Sequence, residues 1–259
     1  MTRSALQIRD VKVTYGGLVA VDGVSFDVPE GEVLGMVGPN GAGKTTVLNC
    51  ISGLTRPVQG TISMRDRRID GLRPHRVTAL GVGRTFQNAQ FFKDFTAAGY
   101  VMLGMFHRAR HRALTVAVGT PAVRRRESTD LDGARQALSS FGLEAVADVL
   151  LRELPYGVQR LVDVARAMAS SPSVLLLDEP TSGMVSSERE RLVDVIGSLS
   201  DSRVTTVIVD HDIEFVKRCC RSAVAMSHGS LLFTGTPEEM LKTAEVRAAL
   251  LGQVEVPAP

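Results

Sequence analysis

The chain lacks any run of about 18 consecutive apolar residues, the length a helix needs to cross a bilayer. Any membrane role is therefore expected to come through a partner. Charge of one sign is also missing: 30 basic residues against 28 acidic ones leave a net charge of +2. No global field of the kind that marks nucleic-acid binding follows from that balance, and nucleic acid is not expected as a partner. Cysteine is scarce. Cys50, Cys219 and Cys220 show neither metal-ligand spacing nor a disulfide framework, which suits a reducing cytosol, and they read as small buried hydrophobes. Met1 to Asp10 alternates apolar and polar residues where a secretory signal would have a charged start and an apolar block, so no signal is expected. There is no internal repeat and no low-complexity linker. What remains, 259 residues that are 44% hydrophobic, is enough for one α/β domain carrying an inserted subdomain and too apolar for disorder.

The most specific feature present is Gly38-Pro39-Asn40-Gly41-Ala42-Gly43-Lys44-Thr45, a complete Gly-x-x-x-x-Gly-Lys-Thr phosphate loop. It lies between the apolar run Val33 to Val37 and the helix-like Thr46 to Ile51. Successive backbone N–H groups in such a turn form an anion nest at a helix N-terminus, where the macrodipole also favours negative charge. Glycine lets the backbone approach phosphate without a Cβ clash. Lys44 is expected to reach the outer phosphates of a nucleotide, and Thr45 to place its hydroxyl on magnesium.

Strand-like segments at Leu6 to Val13 and Ser25 to Val28 precede the loop, separated by turn signals at Gly16-Gly17 and followed by Pro29-Glu30-Gly31, which predicts a small antiparallel sheet. Val33 to Val37, Val174 to Leu177, Thr205 to Val209 and Ala223 to Met226 are apolar, β-rich runs separated by helical stretches, the pattern of a buried parallel sheet. The expected fold is therefore α/β: a phosphate-loop NTPase core with an N-terminal antiparallel β subdomain and an inserted α-helical subdomain. The insert reads helical from Phe95 to Phe141 and extends over about 95–155. It carries the basic runs His107-Arg108-Ala109-Arg110-His111-Arg112 and Arg124-Arg125-Arg126. These runs read as a solvated helix face. A tail over about 229–259 has a turn at Gly229, a strand at Leu231 to Phe233 and helical Pro237 to Leu251.

Val174 to Leu177 ends in Asp178-Glu179, which puts two carboxylates at the carboxyl edge of the sheet, where open α/β folds bind ligands. Asp178 is expected to hold magnesium directly or through water, and Glu179 to orient and polarise the attacking water as general base.

With these motifs in order, the chain resembles the ATP-binding subunits of ABC transporters over essentially its whole length. That resemblance implies that Tyr15, in Thr14-Tyr15-Gly16-Gly17, stacks on adenine. It implies that Gln87, in Arg84-Thr85-Phe86-Gln87, contacts magnesium and the attacking water and reports to the transmembrane partner. His211, in Val209-Asp210-His211-Asp212, matches the switch histidine that senses the γ-phosphate. Arg84 to Asn88, the helical insert, Leu154 to Arg160 and Gly235-Thr236-Pro237-Glu238-Glu239 look most like the larger ATPase subunit of branched-chain amino-acid importers. The resemblance implies an ATPase that uses ATP and Mg2+ on the cytoplasmic face of the plasma membrane. Its implied partners are two permease subunits, a second ATPase and an external solute-binding protein. In that setting the basic runs of the insert could instead face lipid head groups or the permease.

Two departures stand out. The signature Leu-Ser-Tyr-Gly-Gln of that subgroup reads Leu154-Pro155-Tyr156-Gly157-Val158 here, and Pro155 offers neither hydroxyl nor N–H. After Ser182-Gly183-Met184, Val185 stands where the family carries an aspartate. Both elements act in trans in the family, on nucleotide held by the opposite subunit. They imply either an asymmetric heterodimer with one weak composite site or subgroup variation, with N–H groups near Gly157 still serving phosphate.

Overall fold

A computed structural model describes residues 3–85, 92–105 and 121–251, with the side chains of 121–127, 201 and 251 left aside. Gln87 and the basic run 107–112 lie outside the described residues, as do the side chains of Arg124 to Arg126.

The chain opens with β1 (Ser4–Tyr15) and β2 (Leu18–Pro29), a long hairpin turning at Gly16-Gly17. Then come β3 (Val33–Val37), α1 (Lys44–Ile51), β4 (Gln59–Met64), β5 (Arg67–Arg68), α2 (Pro74–Ala79) and β6 (Val82–Arg84). Among the described residues the helical insert supplies α3 (Ala97–Leu103), α4 (Pro121–Ser139) and 3₁₀ turns at Glu144–Val146 and Leu151–Glu153, and leads into α5 (Tyr156–Ala169). The remainder is β7 (Val174–Asp178), α6 (Ser186–Asp201), β8 (Thr205–Val209), α7 (Ile213–Cys219), β9 (Ser222–Ser227), β10 (Ser230–Gly235), α8 (Pro237–Lys242) and α9 (Ala244–Leu251).

Two sheets result. The first is antiparallel in the order β2-β1-β4-β5. Its hairpin strands run 12 residues each, longer than the apolar runs mark, because pairing carries exposed polar positions such as Arg9 and Asp27 along with the buried ones. β4, β5 and β6 are too short or too mixed to announce themselves by period, and they appear only as partners of β1, β4 and β7 respectively.

The second sheet runs β10-β9-β3-β8-β7-β6, with β10 antiparallel to β9 and the other pairs parallel. Alternate side chains divide between its two faces. Leu175, Leu177 and Ile208 pack towards the helical layer. Val174, Leu176 and Val207 pack towards α1 and the antiparallel sheet. Both faces being covered explains why these strands are continuous apolar runs. Burying each such side chain contributes roughly 1.5–3 kcal/mol.

Cys50 and Cys220 are buried and Cys219 is partly buried, as small hydrophobes. The tail helix predicted over Pro237 to Leu251 breaks in two at Thr243. In-register pairing of Met36 with Val209, and of Val209 with Asp178, brings the ends of β3, β7 and β8 into one row. The site stands on that row.

Candidate nucleotide site

β3 delivers the chain into the loop 38–43, and α1 begins at Lys44. The N-cap, Gly43, has φ 98°, a left-handed conformation in which a Cβ would lie 2.5 Å from the Ala20 carbonyl. Glycine is therefore required by both conformation and space. α1 has no acidic residue in its first turn and no side-chain cap, which leaves its first N–H groups available to an anion.

Lys44 is only 7% exposed, and its Nζ donates to the carbonyls of Gly38 at 2.7 Å and Pro39 at 2.9 Å. Burial pushes its pKa down, while Glu179 and Asp178 oppose that shift. An ammonium partly stripped of water and facing two carboxylates is suited to take a phosphate as counter-ion.

The loop opens into a cleft of about 480 Å³ lined by Tyr15, Asn40 to Thr46, Glu179 and His228, with Leu18, Val19 and Ala20 on its apolar wall. Tyr15 is half exposed there, its hydroxyl 3.2 Å from Thr55 Oγ1. Its ring and the β2 wall offer an apolar surface for a planar base, while the loop offers N–H groups for anionic phosphates.

Asp178 ends β7, fully buried, with Oδ1 3.4 Å from Thr45 Oγ1 and Oδ2 3.0 Å from Arg84 Nη2. Glu179 follows with φ 47°, in the left-handed region that a non-glycine residue rarely adopts. Its N–H donates to Val209 O at 2.7 Å, which fixes the kink that turns consecutive acids in different directions.

The donors near this point are a carboxylate and a hydroxyl, both hard oxygens. No group of three or more His, Cys, Asp or Glu that could hold a metal occurs among the described residues. That donor set fits magnesium, which takes one or two protein oxygens and completes its shell with phosphates and water.

His211 follows β8 with its side chain 68% exposed, and it is not among the residues lining the cleft. Its neighbour Asp210 is fully buried and holds the surrounding backbone: its carboxylate accepts from Thr181 N, Thr181 Oγ1, His211 N and Asp212 N at 2.7–3.2 Å. Asp210 thereby ties the segment after Glu179 to the one that presents His211.

The segment Pro155-Tyr156-Gly157 lies elsewhere, at the start of α5. Pro155 is its N-cap and makes no side-chain cap bond. Tyr156 is half exposed and packs on Gly183, where an added Cβ would come within 2.5 Å of the ring. Gly157 leaves room for the Glu188 carboxylate, which accepts from Val185 N at 2.9 Å. The segment Pro155-Tyr156-Gly157 and the segment from Gly183 to Val185 are thus in contact with each other.

Arg84, Asp210 and His228 were not singled out by residue type. Arg84 ends a core strand and Asp210 directly follows one, and that position was the signal available in the sequence.

Residues 21–182 match the profile of the family described as ABC transporter. The chain is 35% identical over 254 residues to the high-affinity branched-chain amino acid transport ATP-binding protein LivG of Salmonella typhimurium, an alignment covering 98% of this chain and 100% of LivG. It is 36% identical over 254 residues, with the same coverage, to BraF of Pseudomonas aeruginosa, described in the same words. Among solved structures, the ADP conformation of MJ1267, an ATP-binding cassette of an ABC transporter, aligns with a TM-score of 0.84 at 24% identity, covering 97% of this chain and all of the other. That likeness establishes the fold.

Proposed function

The chain belongs to the ABC transporter family, and from that premise we propose that it is the ATP-hydrolysing subunit of an importer for branched-chain or related amino acids. The observation that carries the ATPase part is the convergence on one cleft of the Gly38 to Thr45 loop, the buried ammonium of Lys44 and the carboxylate of Glu179. The amino-acid part rests on the names of LivG and BraF.

Adenine stacks on Tyr15, and the phosphates lie against the N–H groups of Gly41 to Thr46 with Lys44 reaching the outer ones. Thr45 and Asp178 would hold magnesium. When bound, magnesium neutralises charge on the β- and γ-phosphates. Glu179 takes a proton from the attacking water as its oxygen bonds to the γ-phosphorus and the bond to the bridging oxygen breaks, giving ADP and phosphate. His211 senses the γ-phosphate, and Gln87 reports to the permease. Most of the rate enhancement is positioning and charge stabilisation. No helix of the described residues is long and apolar enough to cross a membrane. On the resemblance to importer ATPases, we place the chain at the cytoplasmic face, attached through two permease subunits fed by an external solute-binding protein.

Replacing Glu179 by Gln in the full chain is expected to lower ATP hydrolysis by roughly 10²–10⁴-fold while leaving ATP binding within a few-fold. Unchanged hydrolysis would remove Glu179 from this role. Uptake of radiolabelled leucine, isoleucine and valine by cells with and without the chain tests the solute, and equal uptake would assign the ATPase to a different one.

A second ATPase as partner, in a heterodimer, is favoured by one specific observation. Pro155 caps α5 without a side-chain donor, beside Val185 without a carboxylate, so the face offered to a partner's nucleotide lacks two polar groups.

A further inference from the structure

Arg84, the last residue of β6, is 10% exposed, and its guanidinium serves two sides at once. Nη2 donates to Asp178 Oδ2 at 3.0 Å, and Nη1 donates to Asn49 Oδ1 at 2.8 Å and Ser52 Oγ at 2.7 Å, at the far end of α1. From the helical layer, Arg166 Nη2 donates to the Arg84 carbonyl at 2.7 Å. Arg166 Nε in turn donates to Asp163 Oδ1 at 2.8 Å, which also accepts from Tyr100 OH at 2.7 Å. A buried polar chain therefore runs from Asp178 through Arg84 and α5 to α3.

A cation buried this deeply carries a desolvation cost; its pKa is pushed down by burial, with Asp178 opposing. What the arrangement achieves is geometric. With Oδ2 of Asp178 occupied by Arg84, Oδ1 is the oxygen turned towards Thr45.

We propose that Arg84 is a positioning residue of the ATP site: it fixes the Asp178 carboxylate through Oδ2 so that Oδ1 faces Thr45 and the phosphates, and α5 holds Arg84 in place through Arg166. The inference rests on the ATPase reading above and deepens it. A lysine cannot substitute, because a single ammonium on a flexible stem does not reproduce a planar fork serving Asp178 on one side and Asn49 with Ser52 on the other.

The test uses the full chain with Arg84→Met, Arg84→Lys, Arg166→Met and the Arg84→Met/Arg166→Met double variant, assayed for kcat and KM of ATP at saturating magnesium. A misaligned carboxylate is expected to lower kcat at least about tenfold in Arg84→Met. KM should stay within about threefold, since ground-state binding is retained. Arg84→Lys is expected to restore less than half of the loss. Arg166→Met should give a smaller loss that does not add to that of Arg84→Met, because it acts through the same side chain.

An independent readout is thermal unfolding without nucleotide or metal. Arg84→Met should lower Tm in the native background, where it strands a buried carboxylate, and lower it clearly less in an Asp178→Asn background. Equal Tm losses in both backgrounds would overturn the pairing. Should Arg84→Met not fold, Arg84→Lys carries both measurements. Turnover in the native chain together with unchanged kcat in folded Arg84→Met or Arg84→Lys overturns this inference alone. Absence of turnover in the native chain, both alone and paired with its partner ATPase, overturns the ATPase reading and this role with it.

Discussion

The loop that begins α1 and the segment that begins α5 are both helix N-termini with a glycine near the start, and they are built in opposite ways. At α1 the glycine-rich loop is backed by a core strand, Lys44 is buried and hydrogen-bonded to the loop, and two acids from the end of β7 face it. At α5 the cap is an exposed proline, the next residue is a half-exposed tyrosine, and the neighbouring Val185 is exposed. The first finds the partners of its buried groups within one chain. The second is a surface whose chemistry depends on what is placed against it, and it is there that Pro155 and Val185 stand. A site assembled from buried, mutually paired groups tolerates little change, because each loss strands a partner. An exposed cap tolerates more.

That contrast can be broken most severely at Lys44. Lys44→Ala removes the buried cation facing the phosphates and is expected to weaken ATP binding by on the order of a hundredfold, the scale of one or two charge-assisted hydrogen bonds. Titration with a fluorescent ATP analogue measures it, and a change of only a few-fold would mean that the loop N–H groups suffice.

Next in size is Asp210→Ala, which leaves two buried and two part-buried donors without their acceptor and should cost about 2–4 kcal/mol. Differential scanning calorimetry would read that as a fall in Tm of roughly 5–12 °C for a chain of this size. A fall below about 2 °C would place the tie between Thr181 and His211 elsewhere.

The α5 side of the comparison is sharpened by Pro155→Ser with Val185→Asp, which restores both family residues. If the composite site built on this face is weak for want of those polar groups, ATP turnover with the partner ATPase should rise a few-fold, the scale of one or two added hydrogen bonds partly exposed to solvent. No rise would mean that the departures are subgroup variation. Smallest of all, Tyr15→Ala should raise the Kd for ATP by about three- to tenfold through loss of one aromatic contact, while a purely aliphatic Tyr15→Leu should recover part of it. Isothermal titration distinguishes the two.

Much of this was legible in the sequence because its signals are local. The phosphate loop is contiguous, and its place between an apolar strand and a helix follows from short-range pattern. Asp178-Glu179 was readable as a strand end because four apolar residues precede it. The order Tyr15, loop, acids, His211 carried the resemblance. Less was legible for β4, β5 and β6, which have too few residues to show a period, and for Tyr156 and Gly183, whose contact joins segments that no spacing rule connects.

His211 illustrates the boundary: its motif was plain, yet the residue beside it, Asp210, is the one the fold buries and bonds. By itself the sequence marked the candidates for binding and cleaving a nucleotide, since those are groups of fixed chemistry at fixed short spacings. The tertiary structure alone decided which groups hold them there. Arg84 reaches Asp178 across 94 positions, and Asp210 reaches Thr181 across 29. Such pairs exist only because the order β3-β8-β7-β6 sets those strand ends side by side, and strand order is fixed by the balance of burial and hydrogen bonding over the whole sheet.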